Sequence, residues 1–267
     1  MMKKIIPIDS KSLKKTQQRV VKTILSDDHW HHDLTQNMMS RLDIIRIQPE
    51  HILCFGWHVE HVMQALQNRY PNAVIQQAHD FHDVTQYEKN SVQLIIALFP
   101  LQITLTTDNV LKAFHHILSD EGLLLFVDLG PDTLCELRES FSAVDDHPHV
   151  RTFTDMHDVG DWIRALHFSD PVMDRETITL AYDELEVLFQ DLKEVGAINI
   201  DIDRSRGLMG KAKWKTMLSH YAQYKTEAYF PVTIELIYGH GWKVPVIEDP
   251  FESGEVVISV NDIQRRK

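Results

Sequence analysis

The sequence predicts an α/β protein with a doubly wound, mostly parallel sheet, an antiparallel edge strand and helical additions. Three observations predict it. Short apolar runs at 51–55, 73–76, 92–98 and 122–129 alternate with stretches of helical periodicity, the pattern of parallel strands joined by helical crossovers. The run at 92–98 is apolar on nearly every position, as a strand covered on both faces must be. After about residue 150 the rhythm changes, and two longer strands, 171–181 and 232–242, are expected to pair as an antiparallel edge.

Taken in order, 11–25 and 33–46 read as helices. In the second, Leu34, Met38, Met39, Leu42 and Ile45 fall at helical spacing and predict a buried stripe. His51-Ile-Leu-Cys-Phe55 ending at Gly56 reads as strand, then turn. Residues 58–70 form a helix closed by Pro71, 73–76 a second strand and 92–98 a third. A helix at 106–119, the strand at 122–129 and a helix at 132–143 follow. Further helices are expected at 155–167, 183–195 and 211–228. No Pro/Gly/Ser linker divides the chain. One domain over 1–267 is therefore expected, with N-terminal helices to about 46, two halves at 47–145 and 146–245, and a tail from 246.

Composition narrows the function. Lys plus Arg total 27 against 39 Asp plus Glu, a net charge of −12, which argues against general nucleic-acid or anionic-membrane binding. Two cysteines, Cys54 and Cys135, make neither a Cys-only zinc site nor a disulfide scaffold. No apolar run approaches the roughly 20 residues of a membrane span. Met1 to Ile8 carries a lysine pair without a long apolar region after it, so no signal peptide is expected and a cytoplasmic protein is.

Several longer runs are more specific. They are Arg41-Leu-Asp-Ile-Ile-Arg-Ile-Gln-Pro-Glu-His-Ile-Leu53, Gly122-Leu-Leu-Leu-Phe-Val-Asp-Leu-Gly-Pro-Asp-Thr-Leu134, Asp155-Met-His-Asp-Val-Gly-Asp161, Asp170-Pro-Val-Met-Asp174, Leu192-Lys-Glu-Val-Gly-Ala-Ile-Asn199, Arg206-Gly-Leu-Met-Gly-Lys211 and Pro231-Val-Thr-Ile-Glu-Leu-Ile-Tyr-Gly-His-Gly-Trp242. Together they resemble the biotin-synthesis malonyl-[acyl-carrier protein] O-methyltransferases, class I S-adenosylmethionine-dependent enzymes with a Rossmann-like fold, over about residues 30–245. The resemblance implies methyl transfer from S-adenosyl-L-methionine to the free carboxylate of malonyl-acyl carrier protein. It leaves open a non-catalytic relative that keeps the scaffold and binds a carrier protein, and a relative of the complex I assembly factors that share the fold.

The departures cluster after the first strand. Where the family shows an acidic residue and a Gly-x-Gly-x-Gly loop, this chain has Cys54, then Gly56, His58 and Glu60. Glutamate at the third glycine is expected to face the methionine carboxylate of the cofactor and repel it. The ribose-binding acid has no counterpart at Ala78, which leaves Asp80 or Asp83 to take that role. Only about 15 residues separate Ile75 from Val92, so one crossover is expected to be shortened. The resemblance implies Gly56, His58, Asp80 and Gln102 as cofactor-binding residues.

Transfer to a carboxylate needs alignment and exclusion of water more than a strong base. A carrier protein is acidic and calls for a basic docking surface. The dense basic run Arg204, Arg206, Lys211, Lys213 and Lys215 supplies one; Arg204, Arg206 and Lys211 are the carrier- or malonyl-binding candidates, against the plainer reading of a solvated helix start. Tyr238 and His240 share one face of the last strand and are the acceptor-side catalytic candidates, with a packed edge strand as the alternative. No resident metal is expected. A weaker possibility gathers His58, His61, His79 and His82 with Asp80 and Asp83 at the strand ends, where imidazole and carboxylate suit zinc or iron. Asp33, beside His29, His31 and His32, is read as a helix cap, and His115 and His116 as favourable charges near a helix end.

Overall fold

The structure, a computed structural model, describes residues 8–23, 25, 30, 33–104 and 107–245. His29, His31, His32 and the tail from 246 lie outside the described residues. Helices α1 (Ser10–Val20) and α2 (Asp33–Asp43) precede β1 (His51–Phe55), α3 (Glu60–Arg69), β2 (Val74–Ala78), the single turn α4 (Phe81–Val84) and β3 (Val92–Leu98). There follow α5 (Thr107–Ile117), β4 (Leu118–Leu129), α6 (Cys135–Ser142), α7 (Met156–Ala165) and β5 (Phe168–Tyr182). The last elements are α8 (Leu185–Glu194), α9 (Lys211–Tyr221), a 3-10 turn at Ala222–Tyr224 and β6 (Phe230–Lys243).

The sheet order is β2-β1-β3-β4-β6-β5. β1 pairs in parallel with β2 and β3, β3 with β4, and β6 runs antiparallel between β4 and β5. The predicted antiparallel pair is present, with the reversed strand inside and β5 at the edge. Period-2 alternation divides the core between two faces. Ile52, Cys54, Leu94, Ile96 and Leu125 pack under α2, α3, α6 and α8. Leu53, Phe55, Ile95, Ala97 and Phe126 pack against Val20 of α1, Phe114 of α5 and Val159 of α7. Each such Leu, Ile or Phe contributes about 1.5–3 kcal/mol by leaving water.

Where boundaries differ from the sequence expectation, backbone conformation gives the reason. α3 begins at Glu60, two residues late, because His58 has a φ of 55° and cannot join a right-handed helix. α6 begins at Cys135 because Leu134 has a φ of 57°. Asp33 is the first helical residue of α2, where its charge opposes the helix dipole. The shortened crossover lies between β2 and β3, which holds α4 alone; Asp80 caps that turn, its carboxylate accepting from the Asp83 amide.

Candidate functional site

The carboxyl ends of β1, β3 and β4 open on one edge, the usual ligand edge of such sheets. At the tip of β1, Gly56 has a φ of 131°, and a Cβ there would lie 2.7 Å from the Leu98 carbonyl oxygen. Only glycine lets the backbone pass this close to β3. Cys54, one turn of the pleat earlier, is fully buried in the apolar core, and burial pushes its thiol up to about 12. An unpaired carboxylate in its place would be costly in that surrounding.

Beyond β1 the chain turns its own side chains over β2. The Trp57 indole N–H donates to the His79 carbonyl at 3.2 Å, and the ring lies so close to Gly196 that a Cβ there would meet it at 2.5 Å. The Gln77 amide donates to the Gly56 carbonyl at 3.3 Å. Asp80 accepts from its α4 cap and from Gln17 of α1 at 3.0 Å. Burial raises the Asp80 carboxyl, but these hydrogen bonds outweigh it and leave the group below its ordinary value. Asp83 accepts from the His79 amide at 2.8 Å.

Over β1, β3 and β4, by contrast, lies a mainly apolar cavity of about 370 Å³. Trp30, Trp57 and His58 line one part, Phe99 and Gln102 another, and Phe189 and Trp214 of α8 and α9 a third. The His58 imidazole reaches the Glu194 carbonyl at 3.3 Å, tying the β1 tip to the end of α8. Gln102 is held from two sides: its amide NH2 donates to Asp128 at 2.7 Å, and Arg151 donates to its backbone carbonyl at 2.8 Å. Its side-chain Oε1 is buried with no hydrogen-bond partner among the described residues. Reversing the amide would set oxygen against carboxylate, so the orientation is fixed by Asp128.

Asp128 accepts three hydrogen bonds, from the Leu101 and Leu129 amides and from Gln102. Desolvation nevertheless raises its carboxyl to about 6. Arg151 also donates to Asp201 at 3.1 Å, both side chains being nearly buried. Burial lowers the guanidinium pKa of Arg151 and raises the carboxyl pKa of Asp201. Sequence reasoning singled out Gln102 but missed Asp128, Arg151, Asp201 and Trp57. Asp128 left one signal, a lone carboxylate inside the apolar run Leu-Leu-Leu-Phe-Val-Asp-Leu.

Of the predicted site residues, His58 and Gln102 therefore line the cavity, Gly56 packs against Leu98 without lining it, and Asp80 sits over β2, away from the lining. Glu60 is exposed and does not line the cavity either. Tyr238 and His240 lie farther down the sheet, paired with Val127 and Leu125. Tyr238 is buried beneath α2, its hydroxyl accepting from Asn37 at 3.1 Å and its ring lying 3.5 Å from the Arg41 guanidinium. Arg204 is engaged within the chain, by Asp9 at 2.9 Å, Ser12 at 2.7 Å and the Asp201 carbonyl at 2.7 Å. Arg206 and Lys211 are exposed. Among the described residues no group of three His, Cys, Asp or Glu is placed to hold a metal ion. No helix among them is long and apolar enough to cross a membrane.

No family model matches the chain. Curated relatives do. The chain is 33% identical to malonyl-[acyl-carrier protein] O-methyltransferase 1 of Coxiella burnetii, over 97% of both chains. It is 34% identical to the malonyl-[acyl-carrier protein] O-methyltransferase of Nitrosospira multiformis, over 88% of this chain and 90% of the relative. The corresponding enzyme of Gallionella capsiferriformans is 31% identical, over 88% and 91%. A candidate methyltransferase from Bacillus halodurans C-125, 12% identical, matches 79% of this chain and 99% of its own with a TM-score of 0.50, which shows the shared fold. Full-length identity at this level, on this fold and with this cavity at the strand ends, places the chain in the malonyl-[acyl-carrier protein] O-methyltransferase family.

Proposed function

We propose that this chain is a cytoplasmic S-adenosyl-L-methionine-dependent O-methyltransferase that esterifies the free carboxyl of malonyl-acyl carrier protein, a step of biotin synthesis. Beside family membership, one observation carries the reading: the buried Oε1 of Gln102, without a hydrogen-bond partner among the described residues, at the cavity over β1, β3 and β4. A buried acceptor without a partner costs about 1–3 kcal/mol and calls for a donor. The cofactor carries an ammonium, ribose hydroxyls and an exocyclic amine, any of which meets that need. When bound, it supplies a methyl group on a positively charged sulfur.

The chain's own residues do the rest. Gly56 holds the β1 tip against β3. Trp30 and Trp57 offer aromatic faces, which favour a cation in a dry site. His58 ties the tip to α8. The acceptor carboxylate is already ionised, so the protein's task is to align it and exclude water, which the apolar lining does. Lys193 at the lining, with the exposed Arg206 and Lys211 outside, supplies positive potential for an acidic acyl carrier.

Calorimetry with S-adenosyl-L-methionine and mass analysis of malonyl-acyl carrier protein test the proposal. Binding, a 14 Da gain on the acyl group and rescue of a biotin-requiring methyltransferase mutant are the expected results. Gln102→Met is expected to weaken donor binding about tenfold, the worth of one hydrogen bond. Absence of donor binding leaves the non-catalytic, carrier-binding relative as the reading.

A further inference from the structure

We propose that the surface formed by residues 205–216 is the docking face for the acidic carrier protein, and that the seam between Phe189 of α8 and Trp214 of α9 admits its acyl arm to the cavity. The proposal rests on the carrier-bound acceptor read above and adds where the carrier sits and where its arm passes.

Three independent features meet here. The first is exposure. Every residue from 205 to 216 is exposed except Met209, which is half-buried; Leu208 stands wholly free of the fold. Nothing approaches within 4 Å of a Cβ placed on Gly207 or Gly210. The opening half of α9, Lys-Ala-Lys-Trp-Lys-Thr, is thus largely exposed, Trp214 being its one side chain packed on the fold's aromatic lining, and its first buried residue is Met217. Apart from Trp214, which packs on Phe189, and Lys213, which pairs with Asp145, these first turns gain little from packing and present their side chains to a partner.

The second is charge. Between Arg204 and Thr226 the sequence has six Lys or Arg and no Asp or Glu, in a chain of net charge −12. Arg204 is committed to Asp9 and Ser12 and anchors the loop. Lys213 is paired with Asp145 at 2.8 Å. Arg206, Lys211 and Lys215 are exposed cations next to Leu208 and Trp214 in the chain. Exposed cations beside an exposed apolar anchor complement a small acidic protein; α1, with Lys11, Lys14, Lys15 and Arg19 exposed, is as basic but carries no such exposed anchor beside the cavity.

The third is access. Phe189 and Trp214 both line the cavity, their ring centroids 4.9 Å apart, and Trp214 is 37% exposed. Trp214 therefore touches the cavity on one side and solvent on the other. An acyl chain tethered to a protein on this face reaches the cavity through that contact, with the Leu192 and Phe189 side chains as an apolar sleeve and Lys193 beside them.

The test measures binding of malonyl-acyl carrier protein by biolayer interferometry at two salt concentrations, and turnover of malonyl-acyl carrier protein and of carrier-free malonyl pantetheine. The double variant Lys211→Glu/Lys215→Glu and the single variant Leu208→Ser are compared with the wild type, folding being checked by circular dichroism. At least tenfold weaker carrier binding is expected for the charge reversal, with a shallower salt dependence. The loss of turnover is expected to be at least tenfold greater for the carrier-bound substrate than for the free thioester. Trp214→Ala is expected to raise KM for both substrates, since both pass the seam. Carrier binding within twofold of wild type in the charge-reversed protein overturns the docking face. Carrier binding without methylation of either substrate supports the face and sinks the methyltransferase reading. Methylation of malonyl pantetheine without carrier binding does the reverse.

Discussion

Over β2, each polar group answers another within the chain: Trp57 to His79, Gln77 to Gly56, Asp80 to Gln17 and to the first turn of α4. Over β3 and β4 the polar groups are just as buried, yet their accounts do not close. Asp128 and Arg151, the latter paired with Asp201, each hold one end of Gln102, whose side-chain oxygen has no hydrogen-bond partner among the described residues. Both regions sit at the ligand edge of one sheet. The first is finished by folding, whereas under the proposed function the second is finished by the bound methyl donor.

The largest effect expected is on the Arg151 and Asp201 pair. Arg151→Met leaves a buried carboxylate uncompensated and frees the Gln102 backbone carbonyl, so a loss of about 3–5 kcal/mol in unfolding free energy is expected from denaturant titration. A loss below about 1 kcal/mol, the level of an exposed pair, would show this wall to be no more demanding than the surface.

Next is Asp128. Its carboxyl titrates near 6 in the fold against 3.8 ordinarily, so between those values the folded chain holds the proton more readily than the unfolded chain. Stability accordingly falls as pH rises from about 4 to about 6, by up to about 3 kcal/mol, and the penalty persists above. Asp128→Asn is expected to remove that component, read as the difference between the two stability profiles over the window. It also allows Gln102 to turn its amide, so donor affinity is expected to fall. Parallel profiles would dissolve the proposed asymmetry.

The smallest effect sharpens the contrast. Asp80→Ala removes a helix cap and the bond from Gln17, for an expected loss of about 1 kcal/mol. Donor affinity, measured by calorimetry, is expected to stay within twofold of wild type. A fall as large as that of Gln102→Met would return the ribose to β2.

The sheet was legible because its strands are covered on both faces: the apolar runs at β1, β3 and β4 leave no other placement for so much hydrophobic surface. The shortened crossover was legible by counting residues. Boundaries were less so, since His58 and Leu134 adopt positive φ without being glycine, a choice made by tertiary packing. The site was legible in part. Gly56 and Gln102 were visible because their residue types carry a specific demand. Arg151 was not, because an arginine in a loop reads as solvated until its partner Asp201, 50 residues on, is seen beside it. Tyr238 and His240 share a face as alternation requires, but period 2 cannot say how far down the strand the ligand edge lies.

The short passage from β2 to β3 has a consequence for handling the protein. Among the described residues β2 is an outer strand, and Val74 on it is half exposed. A bare strand edge invites pairing with another chain, the first step of sheet-like aggregation. Here the row of free amides and carbonyls is five residues long and gives way at once to the capped turn at Asp80. So brief a template offers little for a second copy to zip onto.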